Sequence, residues 1–507
     1  MTLYQNPVIK GFNPDPSICR VGDDYYLVTS TFEFFPGVPI YHSKNLVEWE
    51  LINYCLIRDS QLDLNNCRCS GGIYAPTLRY HDGVFYMITT NVTGGGNFIV
   101  HTRDIRGEWS EPHWIDHEGI DPSLFFDDDG KVYFCGTHNE NGRQAIALFE
   151  INPLTGEKLS DTVVISYGAG GKYPEAPHIY KINGYYYLMM AEGGTEYGHM
   201  ETIFRSKSIY GPYEPCPHNP IISHKDFMGS PIQATGHADI VEDTNGNWWM
   251  VCLGIRPLPT TMLHNLGRET FLTPLVWNED DWPVVGNNGR IALEMEAKLP
   301  APLSGSVLSI DFEDNFESDT LKLEWNFVRN PRRDNYSLAD RKGYLRLSAG
   351  AETLSDYHPT FVGIRQKEFN VKARTKLVVD SMNENQKAGL TAFYNKDYHY
   401  EIYLTKEQDK YYVALSKRIH DIECVTHQIE VDYQGEIEFE IETGVDDYKF
   451  SYRLSDDWIM LGTAKTAGLC TEGTMTMTFT GTYLGVFASN GTAYFKYFSV
   501  KEIMKDK

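Results

Sequence analysis

Asn13-Pro14-Asp15-Pro16-Ser17-Ile18 is the stretch on which the reading of this chain turns. Proline fixes its own φ near −65° and pushes the residue before it towards extended backbone, so the stretch by itself is only a rigid turn. Its shape returns four times: Ala75-Pro76-Thr77-Leu78, Asp121-Pro122-Ser123-Leu124, Ala176-Pro177-His178-Ile179 and His237-Ala238-Asp239-Ile240. Each has a small or polar residue, usually Pro, then a polar and an aliphatic residue. The starts fall at 15, 75, 121, 176 and 237, and so lie 60, 46, 55 and 61 residues apart.

A second shared feature follows each start, a turn and then aromatic-rich strand residues. Examples are His81-Asp82-Gly83-Val84-Phe85-Tyr86 and Ile182-Asn183-Gly184-Tyr185-Tyr186-Tyr187. Asn-Gly and Asp-Gly between β-prone runs mark hairpins, because these residues tolerate positive φ. Units of this length with several strands each predict a five-bladed β-propeller over residues 1–298, with the repeat starts converging on the axis. Leu299-Pro300-Ala301-Pro302-Leu303-Ser304-Gly305-Ser306 reads as a linker, set at 299–308. From 309 to 507 the repeat is gone and short alternating strands such as Tyr400-Glu401-Ile402-Tyr403-Leu404 remain, which predicts a C-terminal β-sandwich of the concanavalin or jelly-roll kind. The fold class expected is all-β.

Composition bounds the partners. A net charge of −24 over 507 residues opposes binding to nucleic acid and to anionic membrane, and suits a neutral oligosaccharide. Aromatic residues make up 13%, among them 33 Tyr, which serve both sheet packing and sugar stacking. The start, Met1-Thr2-Leu3-Tyr4-Gln5, has no basic region leading into an apolar run, and no 18-residue apolar segment occurs, so a cytoplasmic chain is expected. Nine scattered Cys fit reduced thiols, and Cys67-Arg68-Cys69 lacks a second Cys/His pair for zinc. Homo-oligomer formation is allowed by all of this.

Three of the aligned starts carry acids: Asp15, Asp121 and, one residue before its Ala-Pro, Glu175. Carboxylates gathered on one axis repel one another, so their pKa values separate. One then stays protonated near neutrality while another stays ionised, which is what glycosidic cleavage by an acid and a base requires. A calcium site built from the three carboxylates is the structural alternative.

Asn13-Pro14-Asp15-Pro16-Ser17, Gly119-Ile120-Asp121-Pro122-Ser123-Leu124 and Tyr173-Pro174-Glu175-Ala176-Pro177-His178 resemble glycoside hydrolase family 43 over nearly the whole chain, closest to its two-domain β-xylosidase-like and α-L-arabinofuranosidase-like members. The resemblance implies a propeller carrying a β-sandwich, with Asp15 as general base, Glu175 as general acid and Asp121 as modulator of the acid's pKa. It implies inversion of configuration, for which acid and base stand roughly 6.5–9.5 Å apart to admit water. It further implies that Arg268 contacts substrate and a catalytic carboxylate, and that Phe32 and Tyr74 form sugar platforms. Related β-xylosidases usually carry Trp at the position of Tyr74. Phe495 is the aromatic expected to reach from the sandwich into the pocket and close it. His237 stands where relatives place a histidine contacting a water-bound cation, so a structural calcium ion at the axis is one expectation and a metal-free histidine the other; the chemistry itself needs no cofactor.

The activity expected is exo-acting release of xylose from β-1,4-xylo-oligosaccharides, with α-L-arabinofuranosidase activity as companion or alternative. A fructan or sucrose hydrolase ranks low, because its Asp, Arg-Asp-Pro and Glu-Cys motifs are absent. A sugar-binding propeller without catalysis is the reading from another class, and the intact acidic trio opposes it.

Overall fold

The computed structural model describes residues 1–305, 309–474 and 477–503; the last part of the expected linker, 306–308, lies outside the described residues. Apart from three short 3-10 turns, the regular elements are strands. Five antiparallel sheets occupy the first part of the chain, and each repeat start opens one of them. The innermost strands are Ser17–Val21, Thr77–His81, Ser123–Phe126, Glu175–Ile182 and Gln233–Glu242. Each is followed by three partners stepping outwards in chain order, apart from the two-residue Phe34–Phe35 within the first sheet's span and the extra Ile222–Ser223 on the fourth. The innermost strands meet in cyclic order, the fifth returning to the first, so the sheets form a propeller. The aromatic runs after each turn became the second strands, such as Tyr185–Glu192, whose apolar side chains fill the space between neighbouring sheets.

The ring is fastened by a strand from each end of the unit. Thr2–Gln5 pairs antiparallel with Glu294–Ala297, and the side chain of Asn6 both donates to and accepts from the backbone of Leu272. Radial repetition of this kind leaves only short, protected sheet edges. The axis is filled by charge. Arg79 of the second sheet pairs with the fully buried Asp239 of the fifth at 2.8 Å, and Ser17 and Tyr180 also donate to Asp239. These bonds, with burial opposing them, hold the Asp239 carboxyl far below its usual value.

The C-terminal part folds as two facing sheets around one apolar core. Strand Phe34–Phe35 of the propeller pairs with Phe327–Val328 of the sandwich unit, and the buried Arg329 donates to the carbonyls of Cys67 and Tyr357. The two units therefore share polar as well as apolar contacts. All nine cysteines are free thiols, and no helix among the described residues is long and apolar enough to cross a membrane.

Candidate active site

At the axial end where the repeat starts lie, a cavity of about 430 Å³ opens. Asp15, Asp121 and Glu175 all line it, together with Phe32, Tyr74, His237 and Arg268. The convergence follows from the backbone. Asp15, Asp121, Ala176 and His237 occupy equivalent places in four repeats, and each has a positive φ of 50–56°. Such left-handed backbone is costly for residues other than glycine and concentrates at functional sites. Here it turns the chain at the mouth of each inner strand and aims the adjoining side chains across the axis. Glu175 gains its offset from a register shift between Glu175 and His178, so the acid comes from one residue earlier than the two aspartates.

The three carboxyls sit in different surroundings. Asp15 is almost fully buried; it accepts from the Ser30 hydroxyl at 2.5 Å and from Arg268 at 3.0 Å, and His237 Nδ1 is 3.5 Å away. Burial alone would raise its pKa, but Arg268, His237, Ser30 and His199 outweigh burial and leave Asp15 below the ordinary carboxylate value. Glu175 is pushed the other way. Burial lifts it and the negative charge of Asp15 adds to that, so its pKa is about 7 despite a bond to Gln144 and the proximity of Arg268. Burial raises Asp121 well above its usual value, with Glu175 and Asp15 adding repulsion and the Ala176 N–H opposing it. Asp121 and Glu175 titrate as a pair, and that pair keeps a proton near neutrality while Asp15 is ionised. Burial also pulls the neighbouring His199 down to about 3 and lowers His237.

Arg268 links the electrostatics to the aromatic wall. Besides Asp15 it donates to the Thr195 hydroxyl at 2.9 Å and to the Phe479 carbonyl at 3.3 Å. Its guanidinium lies 5.4 Å from the ring centres of both Phe32 and Phe479. Phe32, Tyr74 and Phe479 form one cluster with centroids 5.1–5.9 Å apart. Phe32 is only 2% exposed, so most of its surface supports the wall, whereas Tyr74 is half-buried, its hydroxyl donating to the Ser70 carbonyl.

One expected residue is elsewhere. Phe495 is fully buried between the sandwich sheets, opposite Leu345 and Leu377, and does not reach the pocket. It sits in the middle of the long strand Gly491–Glu502, where alternation directs it into the sandwich core. The aromatic that the sandwich unit delivers is Phe479, from an irregular stretch whose backbone N–H is tied to Ser70 of the propeller at 2.9 Å. The sequence around it, Met477-Thr478-Phe479-Thr480, alternates as a strand would, yet the structure leaves this stretch irregular, so alternation alone does not place its side chain. Thr195 and His199, on the loop after Tyr185–Glu192, were also not picked out; Gly193-Gly194 was the available signal for a loop there.

The surroundings of His237 do not suit a protein-coordinated calcium ion. Calcium takes six to eight oxygen ligands. Among the described residues no group of three His, Cys, Asp or Glu could hold a metal ion. The carboxylates near His237 are committed, Asp15 to Arg268 and Asp239 to Arg79.

The sequence profile described as glycosyl hydrolases family 43 matches residues 4–283, and that of the β-xylosidase C-terminal concanavalin A-like domain matches 313–501. A non-reducing end α-L-arabinofuranosidase of Bacteroides ovatus is 43% identical over 97% of this chain and 92% of its own length. A xylosidase/arabinosidase of Butyrivibrio fibrisolvens is 43% identical over 81% of each chain. Among solved structures, a xylan β-1,4-xylosidase of Bacillus halodurans superposes with a TM-score of 0.93 at 34% identity, covering 98% of this chain and all of the other.

Proposed function

The chain belongs to glycosyl hydrolase family 43 and is an exo-acting glycosidase; on that footing we propose that it inverts configuration while releasing xylose from the non-reducing ends of β-1,4-xylo-oligosaccharides, with Asp15 as base, Glu175 as acid and Asp121 as the group that keeps Glu175 protonated. The observation that carries the roles is the split between the carboxyls: Asp15 held ionised by Arg268, Glu175 raised to about 7. In the reaction, Asp15 takes a proton from water as the water oxygen bonds to the anomeric carbon. The bond from that carbon to the leaving oxygen breaks, and Glu175 delivers its proton to that oxygen. Solvent exchange then restores both groups. Arg268 holds Asp15 in place and keeps it from competing for the acid's proton.

In this reading the aromatic wall of the pocket takes the chain end. Phe479, Phe32 and Arg268 line one part of the pocket in mutual contact. The entrance side is lined by the exposed Lys172 and Tyr173. No cofactor takes part in these steps, and the substrate is a neutral saccharide.

A second reading, α-L-arabinofuranosidase as the main activity, is favoured by the name of the Bacteroides ovatus relative and by Tyr74. Aryl β-xyloside and aryl α-L-arabinofuranoside substrates, with product anomers followed by NMR, test both readings. Faster turnover of the xyloside with an inverted product is expected; retention overturns the mechanism, and a dominant arabinofuranoside rate overturns the sugar preference. Glu175→Gln is expected to abolish turnover while preserving sugar binding, and unchanged turnover removes the acid assignment. A cytoplasmic site of action, on oligosaccharides small enough to be imported, completes the proposal.

A further inference from the structure

Two fully buried glutamates, Glu192 and Glu201, lie outside the pocket lining yet touch the backbone on which the pocket is built. They occupy one hairpin of the fourth sheet, Glu192 ending strand Tyr185–Glu192 and Glu201 beginning strand Met200–Ser206, where Ala191 faces Glu201 and Glu192 faces Met200. From there the two carboxyls reach in different directions.

Glu192 holds the loop that leads to Glu175. One oxygen accepts the Ala169 N–H at 2.7 Å and the Thr202 hydroxyl at 2.8 Å; the other accepts the Gly171 N–H at 2.6 Å. The loop wraps the carboxylate so closely that a Cβ on Gly168 would lie 2.9 Å from it, and one on Gly171 2.7 Å from an oxygen. The same loop is fastened once more by Gly193 N–H to the Lys172 carbonyl. It then runs directly through Tyr173, at φ +53°, to Glu175. Both oxygens are thus taken up by backbone N–H groups of the loop and one by a hydroxyl of the adjoining strand, so the path of the loop depends on this side chain.

Glu201 holds the turn that carries His237. Its Oε2 accepts the Ala238 N–H at 3.1 Å and its carboxyl also bonds the His237 N–H. This peptide needs an anchor. His237 has φ +51°, Ala234 has φ +54°, and the strand register breaks on both sides of Gly236. Gly236 itself lies flat against the His199 ring, where a Cβ would be 2.7 Å away. His237 in turn faces Asp15. Oε1 of Glu201 has no partner among the described residues, and burial, together with the charges of Glu192 and Asp239, pushes its pKa well above the ordinary glutamate value.

We propose that Glu192 and Glu201 are positioning residues, Glu192 placing Glu175 and Glu201 placing His237 against Asp15, each by clamping a strained backbone turn. Neither touches substrate. The inference rests on the roles proposed above for Asp15 and Glu175. The groups facing Asp15 are Arg268, His237, His199, Asp121 and Glu175, and those facing Glu175 are Asp15, Asp121 and Arg268. A displaced turn therefore changes a named set of charges.

The test is the pH profile of kcat/KM on an aryl glycoside, with thermal melting recorded beside it, for Glu192→Gln, Glu201→Gln and Glu201→Ala. Gln at 201 keeps an acceptor oxygen of nearly the same shape for the Ala238 N–H, so it is expected to stay within about twofold of the parent. Ala at 201 removes the acceptor; kcat is expected to fall about tenfold and the acidic limb to move to higher pH, because Asp15 loses its neighbour. Gln at 192 turns an amide N–H towards a backbone N–H; kcat is expected to fall about tenfold and the alkaline limb to move to lower pH as Glu175 becomes solvated. Lower melting temperatures with both limbs unmoved would overturn the proposal, as would a Glu201→Gln as impaired as Glu201→Ala. Glu175→Gln serves as the separate control: if that variant turns substrate over, the acid assignment fails first; if it is inactive and the limbs stay fixed, only the positioning roles fail.

Discussion

Replacing Glu175 by Gln predicts a gain in stability that depends on pH, and the size follows from the site. In the folded protein the carboxyl has a pKa of about 7 against 4.5 for the free side chain, because it is buried beside Asp15. The folded state therefore binds the proton more tightly than the unfolded chain. For such a raised group the favourable contribution is fully present below about pH 4.5 and is lost as pH rises through about 7. At 1.36 kcal/mol per pH unit, ionising Glu175 in place costs about 3 kcal/mol at pH 8. Gln has nearly the same shape and never ionises. At pH 4 the variant and the parent should melt together; at pH 8 the variant should be more stable by up to about 3 kcal/mol, on the order of 5 °C in Tm. Asp121 also loses the repulsion of the Glu175 charge, so its own proton affinity falls in the variant and part of the relief appears there. Melts by circular dichroism at both pH values, alongside an aryl-glycoside assay in which the variant is inactive throughout, give the comparison. An equal difference at pH 4 and pH 8, or a variant less stable at pH 8, would refute the reasoning, since neither is compatible with a buried carboxyl that resists ionisation.

Other outcomes follow from the same geometry. The kcat/KM profile should be bell-shaped, its alkaline limb near pH 7 where Glu175 loses its proton and its acidic limb below the ordinary aspartate range, because Arg268 keeps Asp15 ionised; an alkaline limb above pH 9 would count against Glu175 as acid. Phe479→Ala should raise KM more than it lowers kcat: about 50 Å² of apolar contact at about 25 cal/mol per Å² is about 1.3 kcal/mol, close to tenfold, and steady-state kinetics on a xylo-oligosaccharide series would show it, with an unchanged KM removing Phe479 from the sugar site. Arg79→Met should cost about 3 kcal/mol or more in denaturant melts, because it leaves the buried Asp239 charge without its guanidinium; a loss under 1 kcal/mol would mean that Tyr180 and Ser17 suffice.

Much of the architecture was legible along the chain because its signals are local. Pro-flanked starts and Asn-Gly or Asp-Gly turns restrict φ and ψ within a few residues, and their recurrence revealed the repeats before any contact was known. The acidic trio could be found the same way, since Asp15, Asp121 and Glu175 sit at matching places in the repeat. The aromatic that the sandwich unit brings to the pocket could not. Alternation marks Phe495 as strongly as any residue, yet the parity of a strand only says that a side chain faces one side of a sheet; in the long strand Gly491–Glu502 that side is the sandwich core. Phe479 reaches the pocket because an irregular segment, far from Arg268 and Ser70 in sequence, is bonded to both. Charge was equally beyond the sequence. Asp15, Asp121 and Glu175 are alike as letters, and only their burial and distances from Arg268 and from one another make one an ionised carboxylate and leave a proton on the others. The chain order determined which carboxyls meet at the axis. Their protonation was decided by tertiary structure, because the field at each group is summed over neighbours contributed by every sheet around it.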